Sequence, residues 1–300
     1  MNSLVMGPRE WAMLVLLSVI WGGSFFFNEV ALTAFGPFSV VFGRVSLAAV
    51  ALLVYIRIRG YSLPTGRRAW GIFIIIGAIS NAIPFSLIVW GQTHITGGLA
   101  SILNATTPLF TVVLAHFLTT DECMTPAKIA GIALGICGVA VLIGPGALEN
   151  IGGQVLGKLA ILGATISYGL AIIFGRRMNE YPASVSATGM LIAASVMMLP
   201  VMLIFESPMQ ATPEPVAIGA IIGIAVVCTA AAYLLYFDIL AKAGATNLSL
   251  VTILVPFSAL ILGVTILDEP FTTGAMAGLA LILAGLACVD GRIFKLGRKG

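Results

Sequence analysis

Residues 104–138 read NATTPLFTVVLAHFLTTDECMTPAKIAGIALGICG, and residues 252–285 read TILVPFSALILGVTILDEPFTTGAMAGLALILAG. Both place a proline inside an apolar run, then an acidic pair, then a second apolar run with spaced glycines. Asp121-Glu122 corresponds to Asp268-Glu269, and Gly131 and Gly138 correspond to Gly278 and Gly285, all at one offset of 147 residues. Pro108 corresponds to Pro256 with a slip of one residue. An offset of nearly half the chain marks an internal duplication, and the rest of the sequence is read through it.

Composition sets the solvent. Of 300 residues, 59% are hydrophobic and 9% charged, so this chain cannot assemble a water-solvated surface. The sequence predicts an all-α integral membrane protein with short loops and no room for a separate soluble domain. A barrel is excluded, because its strands would alternate in polarity rather than run apolar throughout. Cys123, Cys137, Cys228 and Cys288 lie in or beside apolar runs without metal-ligand spacing and are expected to be reduced thiols. The segment from Trp11 to Phe27 lacks a following small-residue cleavage site and reads as a retained first helix.

A spanning helix needs about 20 mostly apolar residues. Ten such runs occur, at 10–28, 38–57, 70–91, 97–118, 126–144, 156–175, 184–204, 216–237, 247–267 and 273–292. If the first helix starts inside, thirteen of the fifteen Lys and Arg fall in cytoplasmic segments, Lys158 falls outside, and Arg44 lies within a helix. Both termini are therefore expected in the cytoplasm. Five helices per repeat is an odd number, so the halves, 1–147 and 148–300, are expected to insert upside down relative to each other. That arrangement suits alternating access around a midplane site.

The mid-helix proline, the acidic residue at the helix end and the following G-x6-G helix, each present twice, resemble the two repeats of EamA-type carriers in the drug/metabolite transporter superfamily. The resemblance covers roughly 11–144 and 156–292, and Arg44 resembles an arginine common in the second helix of that family. The second half departs from the pattern, since Gly189 aligns near Gly43 and no arginine stands there. Within the superfamily, the ten-helix bacterial exporters of aromatic amino acids are the most similar group. The resemblance implies a multi-pass carrier of the bacterial inner membrane. Its expected partners are a small-molecule substrate, amino acids in particular, and the lipid bilayer. Nucleic acid is not expected as a partner, and the chain is expected to be a monomer or weak homodimer.

Helix midpoints bring polar and aromatic residues to one depth. The substrate-binding candidates are Trp21, Asn81, Phe85, Ser101, Asn104, Tyr168, Thr229, Tyr233 and Thr252. Trp21 and Tyr168 are separated by the repeat offset, and paired aromatics can wall a cavity or simply pack helices. Pro84, Pro108 and Pro256 are hinge or gating candidates. Each removes one N–H and frees the carbonyl four residues earlier, those of Ser80, Asn104 and Thr252. Arg44 is the intramembrane charge. It is expected to snorkel or pair with Glu29, or else to meet a substrate carboxylate.

The acidic pairs stand just before helices, where carboxylates favour the positive end and Thr125 and Thr272 or Thr273 can cap. His94 reads as a solvated residue of an outer loop. The glycines of the fifth and tenth spans read as scaffold for close backbone approach. No H-E-x-x-H, G-x-S-x-G or phosphate-loop motif occurs, so no catalytic residue, metal or cofactor is expected. A channel and an intramembrane enzyme remain alternatives, as do carriers of sugar phosphates or organic cations.

Overall fold

The computed structural model describes residues 7–119, 124–144, 152–175, 180–206 and 214–290. These residues form ten principal helices: α1 Pro8–Leu32, α2 Pro37–Ile58, α3 Arg67–Gln92, α4 Gly97–Leu118, α5 Pro126–Ile143, α6 Gly153–Gly175, α7 Ala183–Phe205, α8 Pro215–Ala243, α9 Val251–Ile266 and α10 Thr273–Asp290. Among the described residues, nine helices are long and apolar enough to cross a membrane, and α9 is a shorter apolar helix. Proline opens α1, α2, α5 and α8, where its missing N–H costs nothing. Thr96 and Thr125 cap α4 and α5 with their hydroxyls, and Thr272 accepts from the Ala275 N–H at the start of α10.

The boundaries follow the sequence reading closely, with three exceptions, the first being that α1 runs on to Leu32 rather than 28. The eighth helix runs on to Ala243, because Ile239, Leu240 and Ala243 continue its packed side past the expected stop at 237. The ninth begins at Val251 rather than 247; a short helical turn, Ala245–Leu248, stands apart before it. Asp121-Glu122, Cys123 and the C-terminal basic tail lie outside the described residues.

The principal helix contacts pair up when helix n is exchanged with helix n + 5. Contact of α1 with α9 is matched by α4 with α6, α1 with α8 by α3 with α6, and α2 with α8 by α3 with α7. The pairs α2 with α7, α4 with α9 and α5 with α10 map onto themselves. Local distortions obey the same exchange: α3 carries a π-helical turn at Ala78–Ala82, and α8 carries one at Val226–Ala231.

Two apolar cores result. One centres on α1, α4, α9 and α10, the other on α2, α3, α7 and α8, and Tyr168 of α6 packs against both. Neither core belongs to one half of the chain. Val50, Ile75, Phe117, Ile136, Val196 and Ile261 face outward, as a lipid-solvated surface requires.

α5 and α10 lie antiparallel on a glycine seam. A Cβ on Gly131 would fall 2.5 Å from the Gly285 carbonyl oxygen, and one on Gly138 would fall 2.8 Å from that of Gly278. Backbones this close gain dispersion contact that lipid cannot provide, which is why glycine stands there. Arg9, Arg57, Arg59, Arg67, Arg68, Lys128 and Lys242 mark one end of the bundle, the basic end. The opposite, charge-poor end carries Glu29, Glu206, Glu214, Asp268 and Glu269, with Lys158 as its basic residue among those described.

Candidate functional site

The central site is assembled around Arg44. Seven residues into α2, it is 6% exposed. Its Nε donates to the Thr229 hydroxyl at 2.9 Å, and the guanidinium carbon sits 3.7 Å from the centre of the Phe85 ring. Both neighbours are placed by distorted helix. Thr229 lies in the π-helical turn of α8, where its hydroxyl donates at 2.8 Å to the Ile224 carbonyl five residues back. Phe85 follows Pro84, directly after the π-helical turn of α3. A π turn widens the helix and presents side chains and carbonyls that a regular helix would hide.

Asn81 completes the wall. Fully buried, it donates from Nδ2 to Ser80 Oγ at 2.9 Å and accepts from the Tyr233 hydroxyl at 2.9 Å. Tyr168, Tyr233 and Cys228 all neighbour the guanidinium electrostatically. Ser167, beside Tyr168, donates to the Ile79 carbonyl at 2.7 Å, tying α6 to the π turn of α3. The first half of the chain thus contributes Arg44, Asn81 and Phe85, and the second half contributes Tyr168, Thr229 and Tyr233.

Among the described residues Arg44 has no carboxylate partner. The pairing with Glu29 expected from sequence does not form, because Glu29 Oε1 accepts the Gly97 N–H at 2.8 Å at the start of α4. Snorkelling does not occur either. A cation in a membrane interior costs about 2.5–3.5 kcal/mol on the insertion scale, and here one hydroxyl and one ring face offset part of it. Nη1 and Nη2 keep donor capacity that the described protein groups leave unused, and a planar carboxylate matches that fork.

The remaining candidates fall elsewhere. Trp21 packs at a tilt against Tyr236, 5.7 Å between centroids, and Tyr236 meets Phe237, which stacks on Tyr233. Trp21 therefore joins the Arg44 site through α8 aromatics, whereas the repeat offset had coupled it with Tyr168. Tyr236 and Phe237 were missed in sequence, although their spacing from Tyr233, three and four residues, was the available signal.

The Ser101 hydroxyl turns onto its own helix at the Gly98 carbonyl, 2.7 Å away. Thr252 is in the first turn of α9, at the basic end, with an exposed hydroxyl on the Ser249 carbonyl, and so it lies away from the Arg44 level. The Asn104 amide oxygen is sealed from solvent and has no partner among the described residues. Pro108 interrupts α4 at Ala105–Thr106, and the carbonyl it frees on Asn104 accepts from the Thr107 hydroxyl at 2.7 Å. Pro256 lies buried within α9 without ending it.

A second feature opens at the charge-poor end. A cavity of about 550 Å³ is lined by Glu29, Gln92, His94, Gln154, Lys158 and Glu269, among others. His94, expected to be solvated, is half-buried and packs at a tilt against the Trp90 ring, 4.5 Å between centroids. Glu269, expected to serve the start of α10, instead accepts the Gly98 N–H of α4 at 2.9 Å. Tertiary approach of α9 to α4 brings a closer helix start than its own successor.

Comparison with known proteins agrees with this architecture. The profile of the EamA-like transporter family matches residues 9–144 and again 155–289. The chain belongs to the EamA-like transporter family. It is 24% identical over 274 residues to the transporter YoaV of Bacillus subtilis, covering 91% of this chain and 94% of that one. It is 25% identical over 289 residues to a WAT1-related chloroplast protein of Arabidopsis thaliana, covering 94% and 69%. The inner membrane transporter YedA of Escherichia coli is 25% identical over 204 residues, covering 67% and 64%. A solved crystal structure aligns over 94% of this chain and 97% of its own with a TM-score of 0.67 at 18% identity, which speaks to the fold. This EamA-family member is a multi-pass membrane protein whose relatives are named as transporters.

Proposed function

We propose that this EamA-family protein is an alternating-access carrier, working as an exporter, for small carboxylate-bearing metabolites, chiefly neutral amino acids with aromatic or other apolar side chains. The observation that carries the reading is Arg44. It is a buried guanidinium without a described counter-ion, lying over the Phe85 ring and bonded to Thr229 from the other half of the chain. One cation pairs with one carboxylate, while the rings accept the remainder of a compact organic solute. Sugar phosphates carry about two negative charges and would call for several cationic groups. Organic cations would be repelled by Arg44.

The inverted relation of the halves, 1–147 and 148–300, and the cytoplasmic placement of both termini are part of this proposal. They are supported by the charge distribution and by the exchange pattern of helix contacts. Rocking one half against the other would open the Arg44 level to each side in turn. Pro84, Pro108 and the π turns of α3 and α8 are the compliant points for that motion.

The test is counterflow in proteoliposomes with a panel of neutral amino acids, sugar phosphates and quaternary amines. The expected result is saturable exchange of labelled aromatic amino acid, accelerated when the far side is loaded. Arg44→Lys, which keeps the charge and loses the planar fork, is expected to raise KM about tenfold or more. Preference for a phosphate, or flux that ignores loading, overturns the reading.

A further inference from the structure

At the charge-poor end, two carboxyl groups from opposite halves of the chain meet. Glu29, near the end of α1, accepts the Gly97 N–H at 2.8 Å, and Glu269, in the turn after α9, accepts the neighbouring Gly98 N–H at 2.9 Å. Both acids crowd one point, since a Cβ on Gly97 would lie 3.4 Å from Glu29 Cδ and 3.4 Å from Glu269 Oε1. Consecutive N–H groups of one helix start hold the two carboxyl groups side by side.

The start of α4 supplies the equivalent of roughly half a positive charge plus two N–H donors. That arrangement suits one negative charge. Two carboxylates in contact repel, and a hydrogen bond between them requires a proton on one. Other titratable groups line the same cavity, His94 from the loop before α4 and Lys158 from α6, and Asp268 adjoins Glu269 in sequence. Lys158 donates to the Ile143 carbonyl at 3.1 Å, and among the described residues it forms no ion pair with either acid. The approach of α1, α4 and the α9–α10 turn is held at this end by the acids, and the adjoining cavity of about 550 Å³ gives protons a route to them.

We propose that Glu29 and Glu269 form a proton-dependent latch that holds the charge-poor end closed. With one proton between them, the carboxyls bond to each other and to adjacent amides of α4. When that proton leaves, two like charges face each other across the boundary between the halves, and the end of the bundle parts. Rising pH on this side therefore favours opening. Protonation here governs access and does not carry a proton across the membrane.

The inference rests on the carrier reading, yet its test needs no substrate, so failure of the latch is distinguishable from failure of the carrier. Ser101 lies one turn below Gly98, fully buried, with its hydroxyl on the Gly98 carbonyl. In a background where Cys123, Cys137, Cys228 and Cys288 are alanine, Ser101→Cys reports opening through its reaction with a membrane-impermeant maleimide. Glu29→Gln and Glu269→Gln replace the shared proton with an amide donor and keep the shape, so both variants stay latched at every pH. Dividing the labelling rate without these substitutions by that of each Gln variant, at the same pH, removes the ionisation of the thiol itself.

The expected ratio is near one at acidic pH and rises roughly tenfold or more as the pH is raised and the shared proton leaves. Thermal unfolding of each variant establishes that it is folded. His94→Gln separates the imidazole and is expected to leave the ratio's rise in place. A ratio that stays flat with pH, or a rise that disappears with His94→Gln, overturns the latch.

Discussion

Thr229→Val tests the central site most directly, since valine keeps the shape of threonine and removes only the hydroxyl. In the structure that hydroxyl accepts from Arg44 Nε at 2.9 Å and donates to the Ile224 carbonyl at 2.8 Å. A neutral bond between membrane helices averages about 0.6 kcal/mol and reaches about 1.7 kcal/mol. A bond to a charged group is worth about 1.5–3 kcal/mol, and leaving the charged donor buried adds its desolvation. Burial decides between these scales: Arg44 is 6% exposed and has no described carboxylate to turn to. The expected loss is about 2 kcal/mol, with Thr229→Ser within about 0.5 kcal/mol of the parent. The measurement is reversible unfolding in mixed micelles, followed by tryptophan fluorescence, together with counterflow at limiting substrate. A Thr229→Val loss under about 0.6 kcal/mol would refute the reasoning, because Arg44 would then be satisfied without this hydroxyl.

Three further outcomes are expected. Gly131→Val places a Cβ against the Gly285 carbonyl, so α5 and α10 separate and thermal stability falls by about 1–3 kcal/mol, while an outward-facing control such as Ile136→Val shows little change. Tyr233→Phe leaves the buried Asn81 amide oxygen without its donor; unfolding should show a loss of about 0.6–1.7 kcal/mol, and initial-rate transport should slow. Trp21→Ala and Tyr168→Ala are expected to reduce transport while the protein remains folded by thermal unfolding; normal flux in both would return these rings to helix packing.

How much of this site was legible in advance depends on what each residue needed. Arg44, Asn81 and Thr229 were selected because polar groups within a span are costly in lipid unless paired or used, and Phe85 and Tyr233 as aromatics at a similar depth; they do converge. Thr252 was selected by the same rule and lies away, because α9 starts later than its apolar run and a proximal turn takes up the difference. The partners of Glu29 and Glu269 were missed because each was compared with its sequence neighbours, whereas helix starts from distant parts of the chain compete for the same carboxylate. Glu206 shows the same competition: it accepts from the Phe38 and Ser39 N–H groups of α2, 2.7 and 2.8 Å away, across the two halves.

The membrane environment, the number of helices, their ends to within a few residues and the duplication all follow from the linear sequence, because each rests on local composition. Apolar runs must span, backbone groups must be satisfied within the segment, and prolines and charges punctuate the runs. Which face of each helix turns inward is a different kind of fact. These spans are apolar nearly all round, so an amphipathic stripe hardly marks the packed side. The faces are selected instead by glycines that admit a neighbouring backbone, by π turns that rotate α3 and α8, and by a few polar groups that find partners on other helices. The approach of Arg44 to Thr229 across 185 residues, and of Glu29 and Glu269 to one helix start, is therefore decided by tertiary packing alone.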